Sequence, residues 1–435
     1  MKLSIKKLSC MALLVAMTMM QTSCDELLGE TDNPAPPVSD VTLDESTLEM
    51  AYGNGKDVTL EATVSSADTE DFDVTWSSSD ESVATVDDEG VVHAVGTGTA
   101  VITAKAGDKK ATCDVSVVIN LETPLTFEAA KAGVTVKFNN YDEDIVAPNV
   151  EYSLDGGITW KDDLTAAGVT LAAAGDKISF RGTNEAYGGE YLHDCRQFFL
   201  SAETYVYGNV MSLINKDNYP TNKTLTANYA FKWMFFNQTN LKNKDADHQI
   251  FLPATTLAED CYNCMFLYCT SLTTAPELPA TVMKKECYDS MFEGCKSLTT
   301  APKLPAKTLA ENCYNGMFEG CESLTTAPEL PAKTLAESCY YGMFAGCKKL
   351  SSVTCKATDL SADLCLFDWL EDAGTDESVT TKTIYINSAY SDYIADMNSN
   401  LEGTADYEQI NANVPWKKGN HDIPAGWTIA AAAAE

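Results

Sequence analysis

The apolar positions of this chain change rhythm along its length, and the most regular rhythm lies in its second half. Over residues 252–350, Leu-Pro-Ala begins at Leu252, Leu278, Leu304 and Leu330, each 26 residues after the last. Every copy then runs through Cys-Tyr-x-x-Met-Phe-x-x-Cys to a closing leucine. A fixed period of this size predicts a solenoid, in which each copy buries its apolar face only by stacking on its neighbours. At roughly 100° per residue, Cys313, Tyr314, Met317, Phe318 and Cys321 share one face, so residues 313–321 are predicted as an inward-packed helix. The column Tyr262, Tyr288, Tyr314 and Tyr340 belongs to that face and is expected in the core rather than as a stacking platform for sugars. Residues 323–331, Ser-Leu-Thr-Thr-Ala-Pro-Glu-Leu-Pro, read as the extended part of the repeat. Proline cannot donate to a ladder, so these strands are expected to be short or broken. Degenerate copies at 225–235 and 360–370 flank the clear ones, as terminal repeats facing solvent should.

Upstream the rhythm is shorter. Residues 41–118 alternate in brief runs punctuated by Gly, Asn and Asp, which predicts a β-sandwich. The stretches Val74-Thr75-Trp76-Ser77-Ser78-Ser79-Asp80, Val83-Ala84-Thr85-Val86 and Gly90-Val91-Val92-His93-Ala94-Val95-Gly96-Thr97-Gly98-Thr99-Ala100 resemble the bacterial immunoglobulin-like group 2 domain. That resemblance implies a spacer on a surface protein, with Trp76 filling the core. A second β-rich segment follows to about residue 200. Its Ser153-Leu154-Asp155-Gly156-Gly157-Ile158-Thr159-Trp160 is similar to the Asp-box of sialidases, but a single copy cannot make a propeller and is expected to be a self-folding hairpin. After the repeats, 383–386 reads as a strand, 390–397 as a helix and 416–429 as a closing segment with two tryptophans.

The repeats themselves resemble the BspA-like leucine-rich repeats, which pair an Ala-Phe or Met-Phe helix with Gly-Cys-x-x-Leu and an extended run ending in Pro. The resemblance covers about 225–370 and implies an adhesin or binding scaffold. The candidate binding face is the extended columns Thr273, Thr299 and Thr325 with Glu277, Lys303 and Glu329. The expected fold is multidomain α+β. Residues 41–119 form an N-terminal Ig-like β-sandwich, 120–205 a small β domain with the hairpin, 206–370 the leucine-rich-repeat solenoid and 371–435 a C-terminal cap.

The N-terminus adds a compartment. Lys2, Lys6 and Lys7 precede the apolar run 11–20, which is too short to span a bilayer and reads as a signal peptide. Gln21-Thr22-Ser23-Cys24 resembles a bacterial lipoprotein cleavage site, as in Bacteroidetes lipoproteins. It implies removal of residues 1–23, acylation of Cys24, a tether over 24–40, and an outer-membrane, cell-surface location. Lys and Arg number 30 against 63 Asp and Glu, a formal net charge of −33, which argues against a nucleic-acid partner. Of 15 cysteines, Cys10 leaves with the signal and Cys24 takes the lipid. The columns Cys261, Cys287, Cys313, Cys339 and Cys269, Cys295, Cys321, Cys347 read as buried thiols, although stacked neighbours could also be bridged. Cys261 and Cys264 have no second pair for zinc, and no cofactor or metal is expected. Histidines stand only at 93, 193, 248 and 421, and no nucleophile or phosphate-loop motif is present, so an enzyme is not expected. The expected function is a surface lipoprotein presenting a repeat face to a host or bacterial protein or glycan. The alternatives are glycan capture for polysaccharide uptake and a purely architectural surface component.

Overall fold

The computed structural model describes residues 38–52, 57–66, 72–119, 121–140, 149–399, 416, 423–424 and 426–433. It is mostly β. The first unit is built from β1 (Val38–Leu43), β2 (Thr47–Tyr52), β3 (Val58–Thr59), β4 (Ala62–Ser66), β5 (Thr75–Ser78), β6 (Ala84–Val86), β7 (Val91–Ala94), β8 (Gly98–Ala106) and β9 (Lys109–Ile119). One sheet has the order β2-β9-β8-β5 and the other β3-β7-β6, with β1 and β4 paired beside them. In β8 the residues Ala100, Ile102, Ala104 and Ala106 are buried while Thr99 and Lys105 are exposed, the period-two pattern that puts one face of a sheet on the core. Trp76 is half-buried and packs against both apolar clusters of the unit. Gly90 has φ +80°, and a Cβ there would lie 2.7 Å from both the Leu60 carbonyl oxygen and the Trp76 ring. Only glycine lets the chain turn this close to the indole.

The second unit contains β10 (Leu125–Ala129), β11 (Val134–Asn140), β12 (Val150–Ser153), β13 (Val169–Leu171), β14 (Lys177–Gly182), β15 (Arg196–Leu200) and β16 (Thr204–Asn209). It does not end where the repeats begin. The short strands β17 (Leu241–Lys242) and β18 (Ile250–Phe251) both lie parallel to β16, so the sheet passes into the repeats. The apolar core is one contiguous cluster from Leu125 to Ile429, so the segments expected at 120–205, 206–370 and 371–435 share it.

The helix predicted at 313–321 is absent, and the only α-helix among the described residues is α1 (Ile394–Ser399) in the C-terminal segment. Instead each repeat is a run of tight turns. Asn312, Gly316 and Gly320 have φ of +54°, +56° and +67°, a left-handed residue at every fourth position. Such a residue ends helical propagation, because the left-handed conformation is unfavourable by roughly 1–2 kcal/mol for a residue with a Cβ. The freed amides turn outward along the stack: Tyr314, Gly316, Phe318 and Gly320 donate to the carbonyls of Cys339, Tyr341, Met343 and Ala345 at 3.1, 2.8, 2.9 and 2.7 Å. The amides between them close turns three residues back, as Met317 does to Tyr314 and Cys321 to Phe318. A turn period of four buries nearly the same positions as a helix, so Cys313, Tyr314, Met317, Phe318 and Cys321 are all buried.

Two ring ladders run through this core. Tyr262, Tyr288, Tyr314 and Tyr340 stack at 5.7, 5.8 and 6.0 Å between centroids. Phe235, Phe266, Phe292, Phe318 and Phe344 stack at 5.2, 5.6, 5.8 and 5.6 Å. Beyond them Trp369 covers Phe344 at 6.5 Å and Trp416 covers Trp369 at 6.2 Å. The last sheet is β19 (Thr326–Leu330), β20 (Ser352–Cys355), β21 (Thr383–Ile386) and β22 (Thr428–Ala431), all parallel. Its edge is blunted by Asn398, whose side-chain amide donates to the Ile429 carbonyl and accepts from the Ile429 amide, both at 2.8 Å.

Candidate functional site

The extended face carries the candidate residues. Thr273, Thr299, Thr325, Glu277, Lys303 and Glu329 are all exposed. The Thr299 amide and hydroxyl donate to the Thr273 carbonyl at 3.1 and 3.2 Å, and those of Ser351 donate to the Thr325 carbonyl at the same distances. At the N-terminal end, the Asn243 carboxamide oxygen accepts from the Thr273 amide at 2.9 Å and its hydroxyl at 3.1 Å. Glu329 pairs with Lys356 at 2.9 Å. Strands here are short, as the prolines require: Thr274 meets Thr300 in an isolated bridge, and the register of β19 against β20 slips between Thr326 and Glu329.

Four of the six residues, Thr299, Lys303, Thr325 and Glu329, line one open groove of about 630 Å³. Thr273 lines a second recess of about 340 Å³ with Asn243 and Lys244, and Glu277 lines neither. Sequence reasoning missed Lys307, Pro302 and Pro328 of the groove wall. Lys307 was findable from its repeat mate Lys333, 26 residues on. Asn243 was not, because it lies in the insertion between the degenerate copy and the first clear one. Cys24 lies outside the described residues.

The columns that invite other chemistry are structural. The described cysteines of the two repeat columns are unbridged thiols. The thiols of Cys269, Cys295, Cys321 and Cys347 donate to the carbonyls of Phe235, Phe266, Phe292 and Phe318 at 3.1, 3.2, 3.2 and 3.1 Å. Burial pushes the Cys269 thiol up to about 12, which holds it protonated. Among the described residues, no group of three or more His, Cys, Asp or Glu is arranged to hold a metal ion. His93 pairs with Asp57 at 2.8 Å, His193 stacks on Tyr191 and His248 pairs with Asp245 at 2.6 Å, each in a different segment. The Asp-box is a closed local hairpin. Asp155 accepts from the Thr159 hydroxyl at 2.5 Å, the Thr159 amide at 2.9 Å and the Ser153 hydroxyl at 2.7 Å. These bonds, the Thr159 hydroxyl first, lower its carboxyl to about 2. The indole of Trp160 donates to the Gly157 carbonyl at 3.0 Å, and Arg181 lies 4.1 Å from its ring centroid.

No helix among the described residues is long and apolar enough to cross a membrane. No curated protein matches the chain. Among solved structures, domains 4 and 5 of the S-layer protein SbsC align at 24% identity over 19% of this chain and 53% of theirs, with a TM-score of 0.18. The chain thus spans about half the length of that structure. Domains 5-6 of the S-layer protein SbsC align at 18% identity over 34% of this chain and 86% of theirs, with a TM-score of 0.18. The sandwich has a firmer relation: residues 37–115 match the family model for the bacterial Ig-like domain (group 2), and β1–β9 build a domain of that kind over this span.

Proposed function

We propose that this chain is a Bacteroidetes-type surface lipoprotein, anchored in the outer membrane through Cys24, whose stacked repeats are a BspA-like leucine-rich-repeat solenoid that binds a surface protein or glycan. The Ig-like domain is its spacer. One observation carries the reading. The repeats commit Tyr, Phe, Met and Cys to the core, so the features left to a partner are the exposed columns through Thr273, Thr299 and Thr325 and the groove beside them. Binding rather than catalysis is the reading preferred, since the three described histidines stand in different segments.

The test is to display the full chain on cells, map protease-accessible sites, and probe arrays of matrix proteins and glycans with it. Binding should fall when Thr273, Thr299 and Thr325 are replaced together by glutamate, and Cys24→Ala should release the chain from the membrane fraction. Binding indifferent to the threonine replacements would overturn the assignment of the face. A purely architectural role is the second reading, favoured by the Ig-like domain, which adds length between an anchor and the repeats.

A further inference from the structure

The repeats are not stacked evenly. The Thr299 amide bonds to Thr273 and the Ser351 amide to Thr325, yet among the described residues no backbone hydrogen bond joins Thr325 to Thr299. The gap extends downstream. Val282 bridges Thr308 and Thr334 bridges Asp359, but among the described residues no bridge joins Thr308 to Thr334, as none joins Thr256 to Val282. On the opposite face the same two repeats remain fully laddered through Tyr314, Gly316, Phe318 and Gly320. The tyrosine rings between them are tilted, Tyr314 and Tyr340 lying 6.0 Å apart at 21° against 5.7 Å and 8° for Tyr262 with Tyr288, while Phe318 and Phe344, packed in the same interface, stay stacked at 5.6 Å and 4°. These two repeats are joined on the turn side and parted on the extended side, and the groove of about 630 Å³ is that parting.

Its charge is opposite to that of the whole. In a chain of net charge −33, the groove holds the exposed Lys303 and Lys307, neither paired with a carboxylate among the described residues. Elsewhere in the repeats Lys285, Lys296, Lys348 and Lys356 each pair with a glutamate, while Lys284, Lys333 and Lys349 make no ion pair among the described residues. The one acid in the wall, Glu329, is already held by Lys356 at 2.9 Å. Two unpaired ammonium groups on one side of a groove call for a ligand with spaced anionic groups. The walls select among such ligands. Pro302, Pro305, Pro328 and Pro331 have no amide hydrogens, so this edge offers an extended peptide few donors for strand pairing. Sugar rings can lay their C–H faces on proline and pair hydroxyls with the threonines.

Resting on the binding-face reading above, we infer that the groove between the Thr299 and Thr325 segments binds an acidic polysaccharide, its carboxylates on Lys303 and Lys307. The experiment is calorimetric titration of the full chain with polygalacturonate, with neutral dextran and poly-L-glutamate as comparison probes. Variants are Lys303→Gln, Lys307→Gln, the double variant, and Lys110→Gln in the Ig-like domain as control. Polygalacturonate should bind and dextran should not, and binding should weaken with added salt. Each groove variant should lose about tenfold, the double variant should lose saturable binding, and the control should match the unaltered chain. Unchanged affinity in the double variant overturns the site, and tighter binding of polyglutamate through the same lysines overturns the sugar. If polygalacturonate fails while array ligands still depend on Thr273, Thr299 and Thr325, the groove assignment falls and the binding face stands. If those also fail, both fall.

Discussion

The two faces of the repeat stack obey opposite rules. On the turn face every second amide bonds to the next repeat, and each fourth residue is left-handed, so the backbone is paired without interruption from Asn312 to Gly320. On the extended face, proline recurs at 276, 302 and 328, strands shrink to isolated bridges, and among the described residues two interfaces, between the extended segments at Leu252 and Leu278 and between those at Leu304 and Leu330, have no backbone bonds. The lesson concerns where a repeat protein can vary. The turn face holds the register and the two ring ladders, and a change there is felt through the core. The extended face can open between neighbours because the other side keeps them together.

The sharpest way to strain this contrast is at the glycine column. Gly294, Gly320 and Gly346 all have φ near +68°, but their surroundings differ. A Cβ on Gly294 would lie 2.2 Å from the Tyr268 ring, whereas one on Gly346 would meet only the Gly320 backbone at 3.6 Å. Gly346→Ala should therefore destabilise by about 1–2 kcal/mol, the left-handed cost alone. Gly294→Ala should cost about 2–4 kcal/mol, because the ring is also displaced from Phe236 and from its hydrogen bond to Glu293. Urea unfolding of the full chain measures both. In the Tyr268→Ala background the excess at Gly294 should vanish, and an excess that persists there would show that the ring is not its cause.

Much of this was legible beforehand, and the failures have physical reasons. The 26-residue period marked which residues stack, and the buried set Cys313, Tyr314, Met317, Phe318 and Cys321 was correct. The conformation was not, because a turn period of four and a helical period of 3.6 bury the same short string. The signal that separates them was present as Gly316 with Gly320 and Gly342 with Gly346, pairs four apart that permit positive φ. The fusion of the second β unit with the repeats was hidden, since β17 and β18 are only two residues long. The groove was hidden for another reason. Thr-Thr-Ala-Pro is repeated unchanged at 273, 299 and 325, so nothing in the wording distinguishes the interface that opens.

A smaller effect tests whether the turn face is also an electrostatic unit. Asp289 sits among Lys232, Asp260 and Glu286, and burial raises its carboxyl to about 7, with Glu286 and Asp260 adding to the rise and Ser290 and Lys232 opposing it. Lys232 is committed to Asp260 at 2.7 Å. A carboxyl with a raised folded pKa binds more protons in the folded state, so stability falls as pH climbs from about 4 to about 7. Asp289→Asn removes that fall. The variant should gain on the order of 2 kcal/mol over the unaltered chain between pH 4 and pH 8, read from urea midpoints across pH. Parallel pH profiles for the two proteins would remove Asp289 from the account.

The smallest effect is expected where the contrast predicts none. Lys303 is exposed and makes no ion pair among the described residues, so Lys303→Gln leaves no charge stranded and opens no cavity. Its unfolding free energy should stay within about 0.5 kcal/mol of the unaltered chain. What change remains has a sign. Removing a cation from a chain of net charge −33 adds to its self-repulsion, so a slight loss should appear at low salt and disappear as salt screens it. A loss of 2 kcal/mol that survived high salt would mean that Lys303 holds the two repeats together, and the extended face would then be a structural seam like the turn face. A loss confined to low salt leaves the groove as a surface whose residues act on a partner rather than on the fold.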